Sequence, residues 1–262
     1  MNISLEGKSA LIAGSTQGIG KATALEFAHL GARVVLIARD ESKLKFVLNE
    51  LKAISDKNHG YIVADFSDYS DLQNTISKKL ITLKPIHILV NNTGGPPAGL
   101  AVDADVTAYL SAFQMHLLCN HILVKSVVED MKKSGYGRII NVISTSVKQP
   151  LPNLGVSNTI RGAVANWSKT LANELGEFGI TVNNVLPGAT ATQRLSAIAE
   201  KESKNSGKSV EDVIRQMGET APLRRVAQPA EVANAICFLA SPAASYISGI
   251  NLPVDGGRTG CL

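Results

Sequence analysis

Short apolar runs alternate along this chain with longer segments in which apolar residues recur at helical spacing. Seven of the short runs are almost continuously apolar, which is typical of parallel strands that are covered on both faces. The alternation predicts an α/β fold of the doubly wound Rossmann type, with helices on both faces of a seven-stranded parallel sheet. The predicted strands are 9–13, 33–38, 61–64, 86–90, 138–143, 181–186 and 250–254. The predicted helices are 19–30, 41–54, 69–83, 109–133, 155–178 and 230–240.

One polar segment interrupts this alternation. Residues 192–218 are rich in Lys, Glu and Ser and lie between the last two predicted strands. The segment is interpreted as a mobile helical flap over a ligand site, and a solvated surface excursion is the alternative. With 262 residues, 45% of them apolar, the chain can bury one large core. We therefore expect a single dinucleotide-binding domain over residues 1–262 that carries this flap as an insertion.

Charge and cysteine content narrow the class of partner. The net charge is only +4 and both signs are spread along the chain, so neither nucleic acid nor a membrane surface is an expected partner. A small-molecule substrate is expected instead. Cys119, Cys237 and Cys261 lack the spacing of metal ligands, so no metal site is predicted. The chain shows neither a charged leader before an apolar stretch nor a membrane-spanning segment, and we expect a cytoplasmic protein.

A glycine-rich turn joins the first predicted strand to the first predicted helix. At this position, main-chain N–H groups and the positive end of the helix dipole can bind a phosphate. Glycine lets the phosphate approach because it has no side chain in the way. The order of strand, turn and helix therefore predicts the pyrophosphate site of a dinucleotide. The turn consists of Gly14, Ser15, Thr16, Gln17, Gly18, Ile19 and Gly20.

The residue after the second strand bears on the choice of cofactor. An acidic side chain there would bind the ribose hydroxyls of NAD, whereas Arg39 suits the 2′-phosphate of NADP. NADP is therefore the predicted cofactor and NAD the less favoured one, although Arg39 could also be a solvated arginine at a strand end. Ligands of such sheets bind where the strands end. The other residues expected to border the cofactor are Asp65, Phe66, Asn91, Asn92, Thr93, Gly94, Pro187, Gly188, Thr190 and Thr192.

Together these motifs resemble the short-chain dehydrogenase/reductase family, in particular its 3-oxoacyl-carrier-protein reductase branch, over nearly the whole chain. The glycine turn 14–20 matches the family's glycine loop, and residues 91–94 match its N-N-A-G motif with Thr93 in the place of Ala. Residues 137–144 match the strand that delivers a substrate-binding serine, here Ser144. The resemblance implies hydride transfer between a nicotinamide and a carbonyl or alcohol carbon. It also implies a ketone or acyl thioester substrate and a homotetramer or homodimer.

The catalytic positions depart from the family pattern. Where the family has a Tyr that exchanges the proton of the substrate oxygen, this chain has Ser157. Arg161 stands in the place of the Lys four residues later, and His116 in the place of an Asn on the long helix. A serine alcohol is far less acidic than a phenol, whose pKa is about 10. The pKa of an arginine is above about 12, so it keeps its proton at neutral pH. Of the four positions, only Ser144 keeps the family's residue.

Two functional hypotheses follow from these replacements. In the first, the protein still reduces carbonyls with NADPH, while Ser144 and Ser157 hold the oxygen and Arg161 stabilises negative charge and contacts the cofactor. His116 would then act as acid or base, since an unperturbed imidazole has a pKa of about 6.5. In the second, the protein binds nucleotide without catalysis, as a sensor or partner subunit. His116 would then be an ordinary helix histidine and Ser157 a space-filling residue.

Two further expectations concern the subunit interface and the substrate pocket. The apolar segments 233–240 and 247–254 would suit an interface between subunits. Gln149 and Asn153 follow Ser144 in a loop punctuated by proline. They are expected either to line the substrate pocket or to be ordinary turn residues.

Overall fold

A single parallel sheet of seven strands organises the molecule. The computed structural model describes residues 1–261, and the strand order in its sheet is β3-β2-β1-β4-β5-β6-β7. This confirms the predicted doubly wound sheet. The order reverses between β1 and β4, which is where ligands bind in folds of this kind. The strands are β1 Ser9–Ala13, β2 Arg33–Ala38, β3 Gly60–Val63, β4 Ile88–Asn91, β5 Gly137–Val142, β6 Ile180–Pro187 and β7 Asn251–Val254.

Helices cover both faces of this sheet. Successive residues of a strand point to opposite faces, and in β1 Leu11 and Ile12 belong to two different apolar clusters. Helices α1, α2 and α9 pack on the face of Ile12, and α3, α5 and α6 pack on the face of Leu11. The helices are α1 Gly18–His29, α2 Glu41–Ile54, α3 Tyr69–Lys79, α4 Val106–Phe113, α5 Cys119–Ser134, α6 Gly155–Leu175, α7 Gln193–Ser206, α8 Val210–Glu219 and α9 Pro229–Ala240.

The polar segment 192–218 is helical, as expected for the predicted flap. Helix α7 begins after Thr192, whose hydroxyl accepts a hydrogen bond from the backbone N–H of Leu195 at 3.4 Å. Helix α8 begins after Ser209, which accepts from the backbone N–H of Asp212 at 3.1 Å. Side-chain caps of this kind satisfy N–H groups that have no partner within the helix. The polar segment therefore consists mainly of two helices, each with a side-chain cap at its beginning.

The predicted helix 109–133 differs from the structure in two respects. Helix α4 begins three residues earlier, at Val106, and a π-helical turn at Gln114–Leu118 separates it from α5. A π turn has i→i+5 hydrogen bonds, so it changes which side chains face inward. His116 lies in this turn and is almost completely buried. A 3.6-residue period in the sequence does not reveal such a turn.

The expected interface segment 233–240 lies largely inside the protomer. Ala233, Ile236, Leu239 and Ala240 are fully buried in the cluster that α9 forms with α1 and the sheet. Their burial corrects the expectation that these side chains are free for a neighbouring subunit. Over residues 1–261, no helix combines the length and apolar character needed to cross a membrane. The same residues contain no group of His, Cys, Asp and Glu side chains that could hold a metal ion.

Candidate functional site

A cavity of about 590 Å³ opens at the carboxyl ends of the central strands. It lies at the switch point of the sheet, as predicted from the positions of the motifs. Most of the predicted cofactor residues line it: Gly14, Thr16, Gln17, Gly18, Ile19, Arg39, Phe66, Asn92, Thr93, Gly94, Arg161, Pro187, Gly188, Thr190 and Thr192. The lining residues that the sequence analysis did not select are Ala38, Ala64, Gly95, Met115, Val142, Ile143, Ala189, Arg194, Leu195 and Ile198.

The glycine turn is so compact that two of its residues have no room for a side chain. Gly14 has a φ of +59°, and a Cβ there would lie 2.3 Å from the carbonyl oxygen of Asn92. A Cβ on Gly20 would lie 2.2 Å from the carbonyl oxygen of Gly14. The Asn92 amide donates to the carbonyl oxygens of Ala13 and Gly14 at 3.3 and 3.2 Å. These contacts hold the turn against the end of β4.

The beginning of α1 is available for an anion. Gln17 occupies the N-cap position and makes no side-chain capping hydrogen bond. The first N–H groups of a helix lack partners within the helix, and the helix dipole is positive at this end. Because Gln17 and Gly18 line the cavity, the beginning of α1 borders the space in which a phosphate would sit. The residues present therefore fit a dinucleotide pyrophosphate.

Four predicted cofactor residues do not line the cavity. Ser15 is buried and donates its hydroxyl proton to the carbonyl oxygen of Ile37 at 3.3 Å. The Asn91 amide donates to Oδ1 of Asn141 at 2.8 Å, and Gly20 packs against the glycine turn. A carboxylate oxygen of Asp65 accepts a hydrogen bond from the backbone N–H of Ser67 at 2.9 Å, which lowers the pKa of Asp65. Ser15, Gly20 and Asn91 thus shape the site from behind, and Asp65 shapes the loop that carries Phe66.

Arg161 is a buried cation at the cavity wall. Its side chain extends from α6, and Nη1 donates to the carbonyl oxygen of Val142, the last residue of β5, at 3.3 Å. Only 7% of the residue is exposed, and its buried Nε has no hydrogen-bond partner. Burial and the nearby charge of Arg194 lower the pKa of Arg161 to about 10. The guanidinium is therefore charged at neutral pH, and its buried Nε–H is free to donate to a ligand.

Arg194 is a second cation beside Arg161 that the sequence analysis missed. It lies in the first turn of α7, where Nη1 donates to the carbonyl oxygen of Gly95 at 2.8 Å and Nη2 to that of Pro96 at 3.0 Å. These bonds hold the beginning of the flap to the loop that follows β4. A cation in the first turn of a helix is unfavourable for the helix dipole. That mismatch was the one signal in the sequence that could have identified Arg194.

His116 is neutral in this environment. It is 1% exposed, its Nδ1 lies 2.6 Å from Oγ1 of Thr93, and its Nε2 has no partner. Burial, followed by the charges of Arg161 and Arg194, lowers the pKa of His116 to about 2. The expectation that His116 exchanges protons near neutral pH rested on an unperturbed imidazole, and the buried π turn removes that condition. Thr93, which lines the cavity, lies between the imidazole and the ligand space.

The two serines predicted to hold the substrate oxygen are also not part of the cavity wall. Ser144 follows β5, and its Oγ accepts a hydrogen bond from the backbone N–H of Ser146 at 3.1 Å. Ser157 is buried on α6, one turn before Arg161. Gln149 accepts from the backbone N–H of Gly260 at 3.2 Å, and Asn153 has a φ of +57°. These contacts favour the interpretation of Gln149 and Asn153 as turn residues.

The chemistry that this cavity offers is largely cationic. Over the described part of the chain, the ionisable side chains that line it are Arg39, Arg161 and Arg194. Together with the open N–H groups at the beginning of α1, they provide hydrogen-bond donors and positive charge. Such groups bind anions and stabilise negative charge that develops during a reaction. They do not exchange protons at neutral pH.

Comparisons with known proteins agree with this description. Residues 13–259 match a family model described as Enoyl-(Acyl carrier protein) reductase. The 7alpha-hydroxysteroid dehydrogenase of Escherichia coli (strain K12) is 30% identical over 256 residues, which are 98% of this chain and 96% of that protein. The 3-oxoacyl-(acyl-carrier-protein) reductase FabG of Pseudomonas aeruginosa is 33% identical over 257 residues, which are 97% and 98% of the two chains.

A solved structure is similar over the entire chain. L-sorbose reductase from Gluconobacter frateurii, complexed with NADPH and L-sorbose, has a TM-score of 0.94 and 30% sequence identity, and the match covers 100% of both chains. The sheet order, the glycine turn at its switch point and these similarities define an oxidoreductase with a dinucleotide-binding fold. The chain belongs to the short-chain dehydrogenase/reductase family.

Proposed function

We propose that this protein is an NADP(H)-dependent oxidoreductase that acts on a carbonyl or alcohol group of a small molecule. One observation carries the proposal: the beginning of α1, which has no side-chain cap at Gln17, lines the same cavity as Arg39. The main-chain N–H groups fit the pyrophosphate, and Arg39 fits the 2′-phosphate by paired hydrogen bonds. The similar L-sorbose reductase was solved with NADPH, which supports the same choice of cofactor.

Arg161 has the main chemical role in this proposal. When bound, NADPH supplies a hydride from its nicotinamide C4. Arg161, which extends from α6 to the end of β5, donates hydrogen bonds to the substrate oxygen and stabilises the negative charge that forms there. Its pKa of about 10 keeps it protonated, so it holds charge and does not transfer a proton. Among residues 1–261, no phenol, imidazole or carboxyl group lines the cavity. We therefore propose that water donates the proton that the substrate oxygen gains after hydride transfer.

The alternative hypothesis, a noncatalytic nucleotide-binding protein, is less well supported. Dehydrogenases and reductases are similar to this chain along its full length. The buried Arg161 also keeps a cation at the position where the family has one. We therefore retain the enzyme with a changed active site. A 3-oxoacyl thioester or another ketone stays the proposed kind of substrate.

Assembly and location complete the proposal. We propose a homodimer or homotetramer whose contact includes an exposed apolar face of α4, made of Val106, Leu110 and Phe113. These residues are spaced by four and three positions and share one side of the helix. We also propose a cytoplasmic location, which is supported by the exposed free thiol of Cys261 because a reducing compartment preserves such a thiol.

A nucleotide titration followed by a turnover assay tests the proposed function. Protein fluorescence is measured while NADPH or NADH is added, and NADPH absorbance is then followed with a panel of ketones and 3-oxoacyl thioesters. We expect tighter binding of NADPH than of NADH, and oxidation of NADPH with at least one ketone. Failure of both nucleotides to bind would overturn the proposal. Tight binding without turnover across the panel would favour the noncatalytic alternative.

A further inference from the structure

Positive charge is found at both ends of the cavity. Arg39 follows β2, whereas Arg161 contacts the end of β5. The order β2-β1-β4-β5 places three strand spacings between them, or roughly 14 Å along the edge of the sheet. The beginning of α1 and Arg39 serve the end that fits the phosphates of the dinucleotide. Arg161 therefore belongs to a different part of the cavity, and Arg194 lies near enough for its charge to lower the pKa of Arg161.

No protein group neutralises this second pair of charges. Among residues 1–261, neither Arg161 nor Arg194 forms a salt bridge, and no Asp or Glu lines the cavity. Their hydrogen bonds go to the carbonyl oxygens of Val142, Gly95 and Pro96, which carry no net charge. Nε of Arg161, although buried, has no partner. A buried charge without a counter-charge is unfavourable, and this applies to Arg161, whereas Arg194 is exposed to solvent. An anion bound beside both arginines would neutralise the buried charge of Arg161.

The surroundings of the two arginines indicate an organic anion rather than an inorganic ion. Met115 and Ile143 line the cavity together with Leu195 and Ile198, which lie on the same helix as Arg194. Apolar walls contact the carbon skeleton of a ligand, and a few polar groups fix its orientation. A guanidinium matches the geometry of a carboxylate with two parallel hydrogen bonds. The combination fits a small acid with an apolar body.

We propose that Arg161 and Arg194 bind a carboxylate of the substrate, which makes the substrate an oxo acid or a hydroxy acid rather than a neutral ketone or sugar. This inference rests on the proposed function and deepens it. Arg194 reaches this part of the cavity from the flap, so its bonds to Gly95 and Pro96 also hold the flap beside the bound acid. Arg161 then contacts both the carboxylate side of the substrate and the reacting oxygen.

Matched pairs of acid and methyl ester test the proposal directly. Pyruvate, acetoacetate and 4-oxopentanoate are each compared with their methyl esters on the NADPH-saturated protein, by quenching of the bound NADPH fluorescence. We expect at least one acid to bind about tenfold or more tightly than its ester, as one charge-assisted hydrogen bond would give. Arg194→Gln and Arg161→Gln should each reduce this preference to below about threefold, whereas Arg161→Lys should keep most of it. Arg215→Gln removes the same charge from an exposed flap position and should leave the preference unchanged.

The outcomes separate this inference from the proposed function. If every ester binds as tightly as its acid while NADPH binds normally, the carboxylate site is refuted and the oxidoreductase proposal stands. If Arg194→Gln weakens NADPH about tenfold and leaves the acid preference intact, Arg194 serves the dinucleotide phosphates and the inference is also refuted. Calorimetric titration of the same pairs into the protein without nucleotide tests the anion site even if NADPH fails to bind. Thermal unfolding of each variant excludes loss of the fold as the cause.

Discussion

Oγ1 of Thr93 lies 2.6 Å from Nδ1 of His116, and this contact joins the loop after β4 to the π-helical turn that precedes α5. Thr93 lines the cavity, whereas His116 is buried behind it. With a pKa of about 2, the imidazole is neutral and can only donate or accept a hydrogen bond at neutral pH. We therefore expect His116 to position Thr93 rather than to exchange protons.

The first prediction concerns stability in acid. The pKa of His116 in the folded protein lies below the value of about 6.5 expected in the unfolded chain, so the unfolded state binds the extra proton. Above a pH of about 6.5, His116 therefore does not lower the free energy of unfolding. As the pH falls from about 6.5 towards 2, it lowers the free energy of unfolding by up to about 1.4 kcal/mol per pH unit. His116→Asn should lose less stability between pH 7 and 5 than the unsubstituted protein.

Urea unfolding at a series of pH values measures this difference. His121→Asn is the control, because it replaces an exposed histidine in the first turn of α5. Equal pH slopes for His116→Asn and the unsubstituted protein would show that His116 is not held neutral by burial. A turnover rate that retains an inflection near pH 6.5 only when His116 is present would instead restore its role as an acid or base.

The second prediction concerns the choice of nucleotide. Arg39→Asp replaces the cation after β2 by a carboxylate that repels the 2′-phosphate and suits ribose hydroxyls. We expect the affinity for NADPH to fall about tenfold or more, while that for NADH changes little. Fluorescence titration measures both constants, and Arg215→Asp on α8 controls for the change in net charge. An unchanged preference for NADPH would show that Arg39 is a solvated arginine.

The third prediction separates steric overlap from backbone strain. Gly14 and Gly207 both have positive φ, +59° and +73°. A Cβ at Gly14 would overlap the carbonyl oxygen of Asn92, whereas a Cβ at Gly207 would meet nothing within 4 Å. Gly207→Ala should cost about 1 kcal/mol and leave NADPH binding intact. Gly14→Ala should cost more and abolish measurable NADPH binding, and equal behaviour of the two variants in unfolding and titration would argue against the compact turn.

The fourth prediction concerns assembly. Leu110 is 56% exposed between Val106 and Phe113 on the apolar face of α4. If this face joins subunits, Leu110→Glu should dissociate the oligomer, to a monomer from a dimer or to a smaller species from a tetramer, because burying an unpaired carboxylate is costly. Sedimentation velocity at micromolar concentration measures the change, and Leu223→Glu, at another exposed leucine, is the control. A monomeric unsubstituted protein would refute the proposed homodimer or homotetramer.

Local sequence patterns were sufficient for the framework of this protein. The continuously apolar strands, such as β1 and β2, could be placed because both faces of the sheet are covered and leave no polar positions. The glycine turn 14–20 could be placed because its chemistry depends on a short contiguous segment that follows a strand. Arg39 was found in the cavity for the same reason, since it directly follows β2.

The contacts that decide the active site join residues far apart in the chain, and only the tertiary structure showed them. Arg194 reaches Gly95 across nearly a hundred positions, and the π turn buries His116 against Thr93 in a way that helical periodicity does not encode. The sequence by itself determined the parallel sheet and the glycine turn that follows its first strand, and it predicts that Ser157 and Arg161 replace the Tyr and Lys pair. The tertiary structure decided which charges share the cavity and which protons are held, because burial and distance set a pKa and neither is a property of a residue alone.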